Sequence, residues 1–577
     1  MPDEVSPEGT PEFNRFRGEI CRPFGTCRAT LGNPALKRWA ILKSPSGTST
    51  SAKFRKALGQ GGTIFRVALN AATLAAMLCA VSPSANAAEE WFRYYNGTGN
   101  GNDQAVAIAA DTNGNVFVTG YSFGGGSGSD FATVKYSAAG APLWTNRYNG
   151  PGNSEDGPAA IAVDPSGNVV VAGSSIGTNG FYDYATIKYS NGGVPLWTNR
   201  FNGLGNSDDT VAALVIDNAG TVFVSGASAS ASIPPFNYPS NFDYATVAYS
   251  SSGVGLWTNR YNGPANGDDY ATAIAVDAGS NVLVAGYSTG SGSGYDYATV
   301  KYSGAGVALW TNRYNGPANG NDQPNALAVD TNGNVFVTGR ITAGSSYDYA
   351  TIKYSGAGVA LWTNLYNGPG NGTDEAKALA TDRQGNVFVT GYSVGTGSSW
   401  DFATIKYSSS GASLWTNRYN GPLNASDVAT AIVVDGAGCV WVTGFSEGIG
   451  SLYDTATVSY SNGGVPLATN RFNGPGNNSD QANALALGSG GVVYVAGFST
   501  TAAGDNDFTI LKYPRAIGPL LSMQRAGGAL VLSWPNPAFS LQSASSFSGT
   551  YSNILGATSP YTNLAPPTQR FFRLISN

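Results

Sequence analysis

There is no histidine anywhere in the 577 residues. That absence excludes a Ser-His-Asp triad, a histidine-ligated zinc or haem, and a pH switch built on imidazole. Charge is scarce as well: Asp, Glu, Lys and Arg make up 12%, about half the roughly 25% usual in soluble domains. Uncharged polar groups must therefore cover the surface, and the chain is rich in Asn, Ser, Thr and glycine. Cysteine is limited to four residues. Cys21, Cys27 and Cys79 lie near the N-terminus, so Cys439 is left alone if that segment is removed, and no intramolecular disulfide is then expected. No stretch sustains a helical period, which argues against an α/β fold. The composition points to a secreted all-β protein.

The N-terminal segment has the form of a secretory leader. Lys53, Arg55, Lys56 and Arg66 precede an apolar run, Val67 to Val81, which is too short to span a bilayer. The run ends in Ser-Ala-Asn-Ala-Ala, which supplies a cleavage site at Ala85-Asn-Ala87. Residues 1–87 are expected to be removed, with the mature chain starting near Ala88. Residues 1–50 read either as an unusually long leader or as a misplaced start. The expected destination is extracellular, cell-surface or periplasmic, with no transmembrane segment in the mature chain. The first 87 residues hold 11 of the 31 basic and 5 of the 36 acidic residues, so the remainder carries 20 against 31. So acidic a chain is a poor partner for nucleic acid, since phosphate contacts need Lys and Arg.

Internal repetition dominates the rest. The segment Trp144-Thr-Asn-Arg-Tyr-Asn-Gly150 recurs from Trp197, Trp257, Trp310, Trp362 and Trp415, loosely from Trp91, and at Ala468 where Trp is lost. The steps are 53, 53, 60, 53, 52, 53 and 53 residues. Each unit reads as four short strands separated by Gly and Asn turns; in the second unit they fall at 159–164, 169–173, 183–189 and 196–201. The array begins with a lone fourth-type strand, 91–95, and ends with only the first three types. The N-terminal strand can complete the last unit and close a ring, which removes the open edges. The expected fold is an all-β, eight-bladed β-propeller of four-stranded blades over 88–513. An open solenoid is the competing architecture.

The pattern A-[IL]-A-V-D-x-x-G-N-V-x-V-x-G, then D-[YF]-A-T-[IV]-K-Y, then G-x-x-L-W, resembles the SBBP-type bacterial β-propeller repeat across roughly 91–513. That resemblance implies a secreted or surface scaffold and no assigned activity. The G-x-x-L-W ending is also similar to the tryptophan-docking segment of quinoprotein propellers, where the Trp packs between blades. The tail, 514–577, has Pro/Gly/Ser punctuation and alternating apolar residues. It looks like a shortened fibronectin-III-type module, a small β-sandwich.

Antiparallel strands place the loops entering each first strand on the same face as those between second and third strands. Two aspartate positions recur on that long-loop face. One ring is Asp103, Asp156, Asp209, Asp269, Asp322, Asp374, Asp427 and Asp480; the other is Asp130, Asp183, Asp243, Asp296, Asp348, Asp401, Asp454 and Asp507. Their oxygens would suit Ca²⁺, with the ring that starts at Asp103 as the candidate metal site, although no cofactor is required. The competing role is capping of local backbone N–H groups, and identical placement in every blade favours it. Asp111, Asp164 and Asp330 precede short turns, where the hairpin role is stronger still. Ala107, Ala160, Ala213, Ala273, Ala326, Ala378, Ala431 and Ala484 form a ring of small residues that lets blades approach closely near the axis.

Departures from the repeat are the better guide to recognition. The 60-residue step comes from an expansion around 228–242, in which Phe236, Tyr238 and Phe242 lie among prolines. This composition suits stacking on sugars or on a protein; packing down on the neighbouring blade is the competing role. Trp400 and Trp441 are further departures. The expected function is a monomeric scaffold that binds a glycan or protein partner through the long-loop face. The alternatives are a carbohydrate-active enzyme, a lyase or glycosidase using loop carboxylates, and a purely structural surface protein. An enzyme is the less favoured of these, because no one pair of carboxylates is marked out.

Overall fold

A computed structural model describes residues 89–577 together with the two-residue strand Ala40–Ile41. Excepted are 234–237, 516–521, 527–528, 534–538, 545–550, 555–556, 558–560, 565–570 and 577. The expected leader and its cleavage site lie outside the described residues.

The array is an eight-bladed β-propeller with four antiparallel strands in every blade. Blade one comprises Asp103–Ala110, Val116–Phe123, Ser129–Tyr136 and Pro142–Tyr148. Blade eight comprises Asp480–Leu487, Val493–Thr500 and Asn506–Tyr513, completed by Trp91–Tyr95. The closing strand pairs Trp91 with Lys512 and Tyr95 with Phe508. Neighbouring first strands lie side by side around the axis, and those of blades eight and one meet in the same way. The open solenoid is thereby excluded.

Burial follows the composition of the strands. Second and third strands are Val-, Ile-, Thr- and aromatic-rich and are buried on both faces, because each blade is sandwiched between two others. The core clusters cross blade boundaries. Phe117 and Phe131 of blade one pack with Val169, Val171 and Ile187 of blade two. Tyr494, Phe508 and Ile510 of blade eight pack with Val116, Val118 and Val134 of blade one. Each such side chain contributes roughly 1.5–3 kcal/mol by leaving water.

Polar groups tie the blades further. The Trp144 indole N–H donates to Asn191 O (3.0 Å), and the ring lies against Gly193. A Cβ at Gly193 would sit 2.7 Å from Trp144 Cγ, and its φ of 86° already favours glycine. The same contact, from Trp91 to Ala138 O (3.2 Å), joins blade eight to blade one. The first strand of the second unit begins at Asp156, three residues before the sequence pattern predicts, and every first strand carries a bulge near its start, as between Ala105 and Ala107. Several bulged residues donate to the next blade's inner strand: Thr272 Oγ1 to Pro324 O and Asn483 Nδ2 to Ala105 O, each 2.8 Å.

The short turns bear out the hairpin role of the third aspartate. Asp111 Oδ1 accepts from Asn113 N and Asn115 N, and Gly114 adopts φ 79°. Lys188 reaches Asp164 in the equivalent turn at 2.7 Å.

Two small sheets follow the propeller: Ser522–Ala526, Ala529–Ser533 and Tyr561–Leu564 in one, and Phe539–Ala544, Ser552–Asn553, Phe571–Ser576 and Ala40–Ile41 in the other. Leu530 and Leu532 of the first share a core with Leu541 and Phe572 of the second. The sequence leaves Cys439 a lone thiol once the leader is removed; in the full chain it is buried and disulfide-bonded. The other three cysteines lie outside the described residues. Among the described residues, no helix is long and apolar enough to cross a membrane.

Candidate binding face

The loops entering the first strands and the loops between second and third strands hydrogen-bond to one another. Tyr182 N donates to Asp208 Oδ1 (2.9 Å), Tyr295 N to Asn321 Oδ1 (3.0 Å), and Asn477 Nδ2 to Gly450 O (2.6 Å). They form one face, as the strand order requires.

The first aspartate ring anchors these loops. All eight carboxylates are essentially inaccessible to solvent. Each accepts from the backbone N–H of the glycine six residues before it, as from Gly97 to Asp103 (2.6 Å) and Gly316 to Asp322 (2.5 Å). Several also accept from the residue twenty positions on, as from Val394 N to Asp374 Oδ1 (3.0 Å). The intervening Asn occupies the left-handed region, with φ between 43° and 52° at Asn100, Asn153, Asn206, Asn266, Asn319, Asn371, Asn424 and Asn477. The recurring N-G-x-x-N-x-x-D is thus a loop stapled to its own aspartate. Burial pushes the carboxyls of Asp156, Asp269, Asp322, Asp374, Asp427 and Asp480 up and that of Asp209 to about 6, against the opposing pull of their N–H donors. Among the described residues, no three His, Cys, Asp or Glu residues are grouped to hold a metal ion.

The second ring is held by arginines. Seventeen residues after the aspartate, on the fourth strand, Arg147, Arg200, Arg260, Arg313, Arg418 and Arg471 pair with Asp130, Asp183, Asp243, Asp296, Asp401 and Asp454 at 2.7–2.9 Å. The guanidinium also reaches a serine at the end of the second strand, as Arg200 does Ser175 (2.6 Å). It then meets the tyrosine hydroxyl of the preceding blade: Tyr148 with Arg200 (3.1 Å), Tyr419 with Arg471 (3.0 Å). This clamp fixes both the blade edge and the seam between blades. In blade eight Tyr94 stands at the arginine position, and Asp507 rises to about 6. In blade five both partners are apolar: Leu365 replaces the arginine and Ile341 the serine, and Asp348 also rises to about 6 through burial and the nearby Asp374.

Aromatic rings gather at the long-loop ends of the blades. Phe242, Tyr270, Tyr287 and Tyr295 form a chain, with successive centroids 5.1, 5.2 and 5.0 Å apart. Tyr392 and Trp400 pair at 4.8 Å, and Phe445 and Tyr453 at 5.2 Å. Trp400 is 38% exposed. Phe242 is therefore the predicted loop aromatic that joins this arc. Phe236 lies outside the described residues. Tyr238 begins a strand, because the seven-residue expansion lengthens the hairpin to Val222–Ile233 and Tyr238–Tyr249. Its alternating Ala and Ser fit a pleated ladder, and Ala231 pairs with Ser240 and Ile233 with Tyr238. Trp441 is fully buried against Tyr513, a core role.

Next to Trp400 the repeat breaks again, in charge. Glu375 and Lys377 on the first strand of blade six and Arg340 on the second strand of blade five meet near the long-loop ends of these strands. Lys377 Nζ lies 2.6 Å and Arg340 Nη1 3.1 Å from the Glu375 carboxylate, which also accepts from Tyr392 Oη (2.7 Å) and Asn325 Nδ2 (3.0 Å). Arg340 further donates to Gln323 and covers the Tyr347 ring at 4.5 Å. The two cations hold the Glu375 carboxyl below its ordinary range despite burial.

The family model described as SBBP: Beta-propeller repeat matches residues 90–126, 310–345 and 361–397. These three segments match as SBBP repeats. No curated protein matches it. Among solved structures, Sqt1 from Chaetomium thermophilum is 13% identical, with 74% of this chain and 98% of that one covered and a TM-score of 0.44. A eukaryotic initiation factor is 11% identical, with 70% and 85% covered and a TM-score of 0.40. Likeness at this level says nothing about what the present chain binds.

Proposed function

We propose that the protein is an exported, monomeric propeller that binds a glycan through the aromatic arc on its long-loop face. The observation that carries this reading is the arc's aromatic clusters at the long-loop ends of blades three to seven, the chain from Phe242 to Tyr295 and the pairs Tyr392–Trp400 and Phe445–Tyr453, set among Asn-, Asp- and Ser-rich loops. A sugar offers C–H faces to such rings and hydroxyls to the surrounding polar groups, and half-exposed aromatic rings can meet them with little loss of side-chain freedom. Export rests on the basic stretch, the short apolar run and the Ala85-Asn-Ala87 site. The regular blades supply a rigid platform, so recognition falls to the residues that depart from the repeat. A glycan array probed with the purified protein tests this reading. Binding that drops at least tenfold in Trp400→Ala and Tyr295→Ala, with melting temperatures near wild type, supports it. Failure to retain any glycan removes it, and retention of proteins alone transfers the arc to a protein partner.

A further inference from the structure

We infer that the arc's glycan is acidic, and that Arg340 and Lys377 receive its carboxylate or sulfate groups. This inference rests on the glycan reading above. The observation behind it is where the cations of the long-loop face are spent. The recurring arginines are consumed by their aspartate clamps. Recurring lysines reach carbonyls of the next blade at the short-turn end, as Lys135 Nζ does Asn191 O at 2.9 Å and Lys353 Nζ does Ser409 O at 2.8 Å. Among the described residues, Arg340 and Lys377 are the cations of this face that belong to no repeat position.

Their arrangement turns positive charge outward. Glu375 is the buried member of the trio, with its side chain 6% exposed, whereas Arg340 and Lys377 are 27% and 35% exposed. One carboxylate against two cations leaves a net charge of +1 on a chain whose formal net charge is -5. An ammonium has three N–H donors and a guanidinium five. Glu375, Gln323 and the neighbouring groups engage some of them and leave others for a ligand. Tyr347 and Tyr392, stacked beneath these cations, and Trp400 beyond Tyr392 would hold the sugar ring beside its own acidic group. A neutral sugar would use the rings alone and leave the two cations facing water.

The test measures binding of three oligosaccharides of matched length by calorimetry: an oligogalacturonate, a sulfated galactan and an unsubstituted galactan. Wild-type protein is compared with Arg340→Gln, Lys377→Gln and Glu375→Gln. Wild type should bind an acidic oligosaccharide at least tenfold tighter than the neutral one, and the galacturonate and sulfated arms identify which group it takes. That preference should shrink as NaCl rises from about 0.05 to about 0.5 M, because salt screens exposed charges. Either cation variant should abolish the preference, and Glu375→Gln, which removes the internal counter-charge, should raise acidic affinity several-fold. Equal binding of acidic and neutral sugars overturns the inference and leaves the glycan reading intact. A fall in stability of Glu375→Gln without any gain in acidic affinity makes the trio a seam between blades five and six. If none of the three sugars binds while Trp400→Ala weakens another glycan on the array, the acidic class is wrong; if no glycan binds at all, both readings fall.

Discussion

Leu365 follows Asp348 by seventeen residues, the spacing at which an arginine grips the equivalent aspartate in six other blades. Ile341 completes the exchange on the second strand, directly opposite Asp348. Blade five therefore keeps a buried acid in a site whose polar partners have become apolar. Asp348 Oδ1 is buried without a hydrogen-bond partner among the described residues, as it is in the clamped Asp130, Asp183, Asp243 and Asp401, but here no arginine at the clamp position offsets the burial. Such a group resists ionisation, and its carboxyl stands at about 6.

This has a consequence for stability against pH. An unfolded aspartate titrates near 3.9, so between about 4 and about 6 the folded state binds the Asp348 proton more tightly than the unfolded state does. Stability from this group is fully present below the unfolded value and is lost as pH rises through about 6. Asp348→Asn removes that loss. Its melting temperature relative to wild type should climb between about pH 4 and pH 7 and then level off. A difference that stays flat across this range would mean that Asp348 is ionised throughout.

The clamp itself predicts the opposite sign elsewhere. Arg200→Leu leaves Asp183 without its ion pair and also strips a partner from Ser175 and Tyr148. Removing one partner of a fully buried pair costs about 3–5 kcal/mol, and partial exposure of this arginine reduces that to about 2 kcal/mol. Urea unfolding of Arg200→Leu should show that loss. The double change Arg200→Leu with Asp183→Asn should recover part of it, since no buried charge then remains unpaired. Equal stability of the single and double variants would deny the coupling.

Much of this architecture was legible in the sequence, for identifiable reasons. The 53-residue period, the four strand patterns and the displaced fourth strand at Trp91 dictate eight blades and their closure. The preference for capping also follows from repetition: Gly97 and Gly316 bear it out in the first ring, at Asp103 and Asp322, whereas the second ring takes arginine and serine side chains instead of backbone N–H groups. Two features escaped. The Asp130–Arg147 clamp joins a recurring acid to a recurring base at a constant offset of seventeen, a signal present in every blade that has it, yet strand pairing is needed to bring the two together. The Arg340, Glu375 and Lys377 trio spans two blades, and no spacing within one repeat unit reveals it. The expansion at 228–242 was visible as an insertion, but a loop was the wrong expectation because Ala229–Ile233 continues the ladder against Tyr238–Phe242.

A second test of the arc concerns Phe242 rather than Trp400. Its ring lies 5.1 Å from Tyr270, and its N–H donates to Asp268 at 3.0 Å, so the backbone is fixed independently of the side chain. Phe242→Ala should cost about 1 kcal/mol or less, because the ring is only half-buried within the lengthened hairpin. Loss of an aromatic anchor from a binding arc can exceed 2 kcal/mol, roughly thirtyfold in affinity. A stability loss above that with unchanged glycan affinity would make Phe242 a packing residue between blades three and four.

Ring closure offers the most direct mechanical test. Trp91 belongs to a strand supplied from the far end of the array, more than 400 residues from its partner Lys512 in the sequence. Its indole nevertheless makes the contact that the fourth-strand tryptophans of blades one to six make, donating to Ala138 O at 3.2 Å and meeting Tyr136 and Tyr494 at 6.4 and 5.9 Å. Trp257 is the internal reference: it donates to Gly304 O at 2.9 Å and meets Phe223 and Tyr302 at 5.8 and 6.0 Å. Replacing a well-packed tryptophan by alanine costs about 3–5 kcal/mol in a core, and the partial exposure of these two lowers the expectation to about 2–3 kcal/mol. If the ring is closed in solution, Trp91→Ala and Trp257→Ala should lose similar amounts in urea unfolding. A closing strand that detaches readily would make Trp91→Ala nearly silent while Trp257→Ala kept its full cost, because a frayed strand has no packing left to lose. Hydrogen exchange separates the cases independently: amides of Trp91–Tyr95 should be protected as strongly as those of Gly255–Tyr261, the matching fourth strand of blade three.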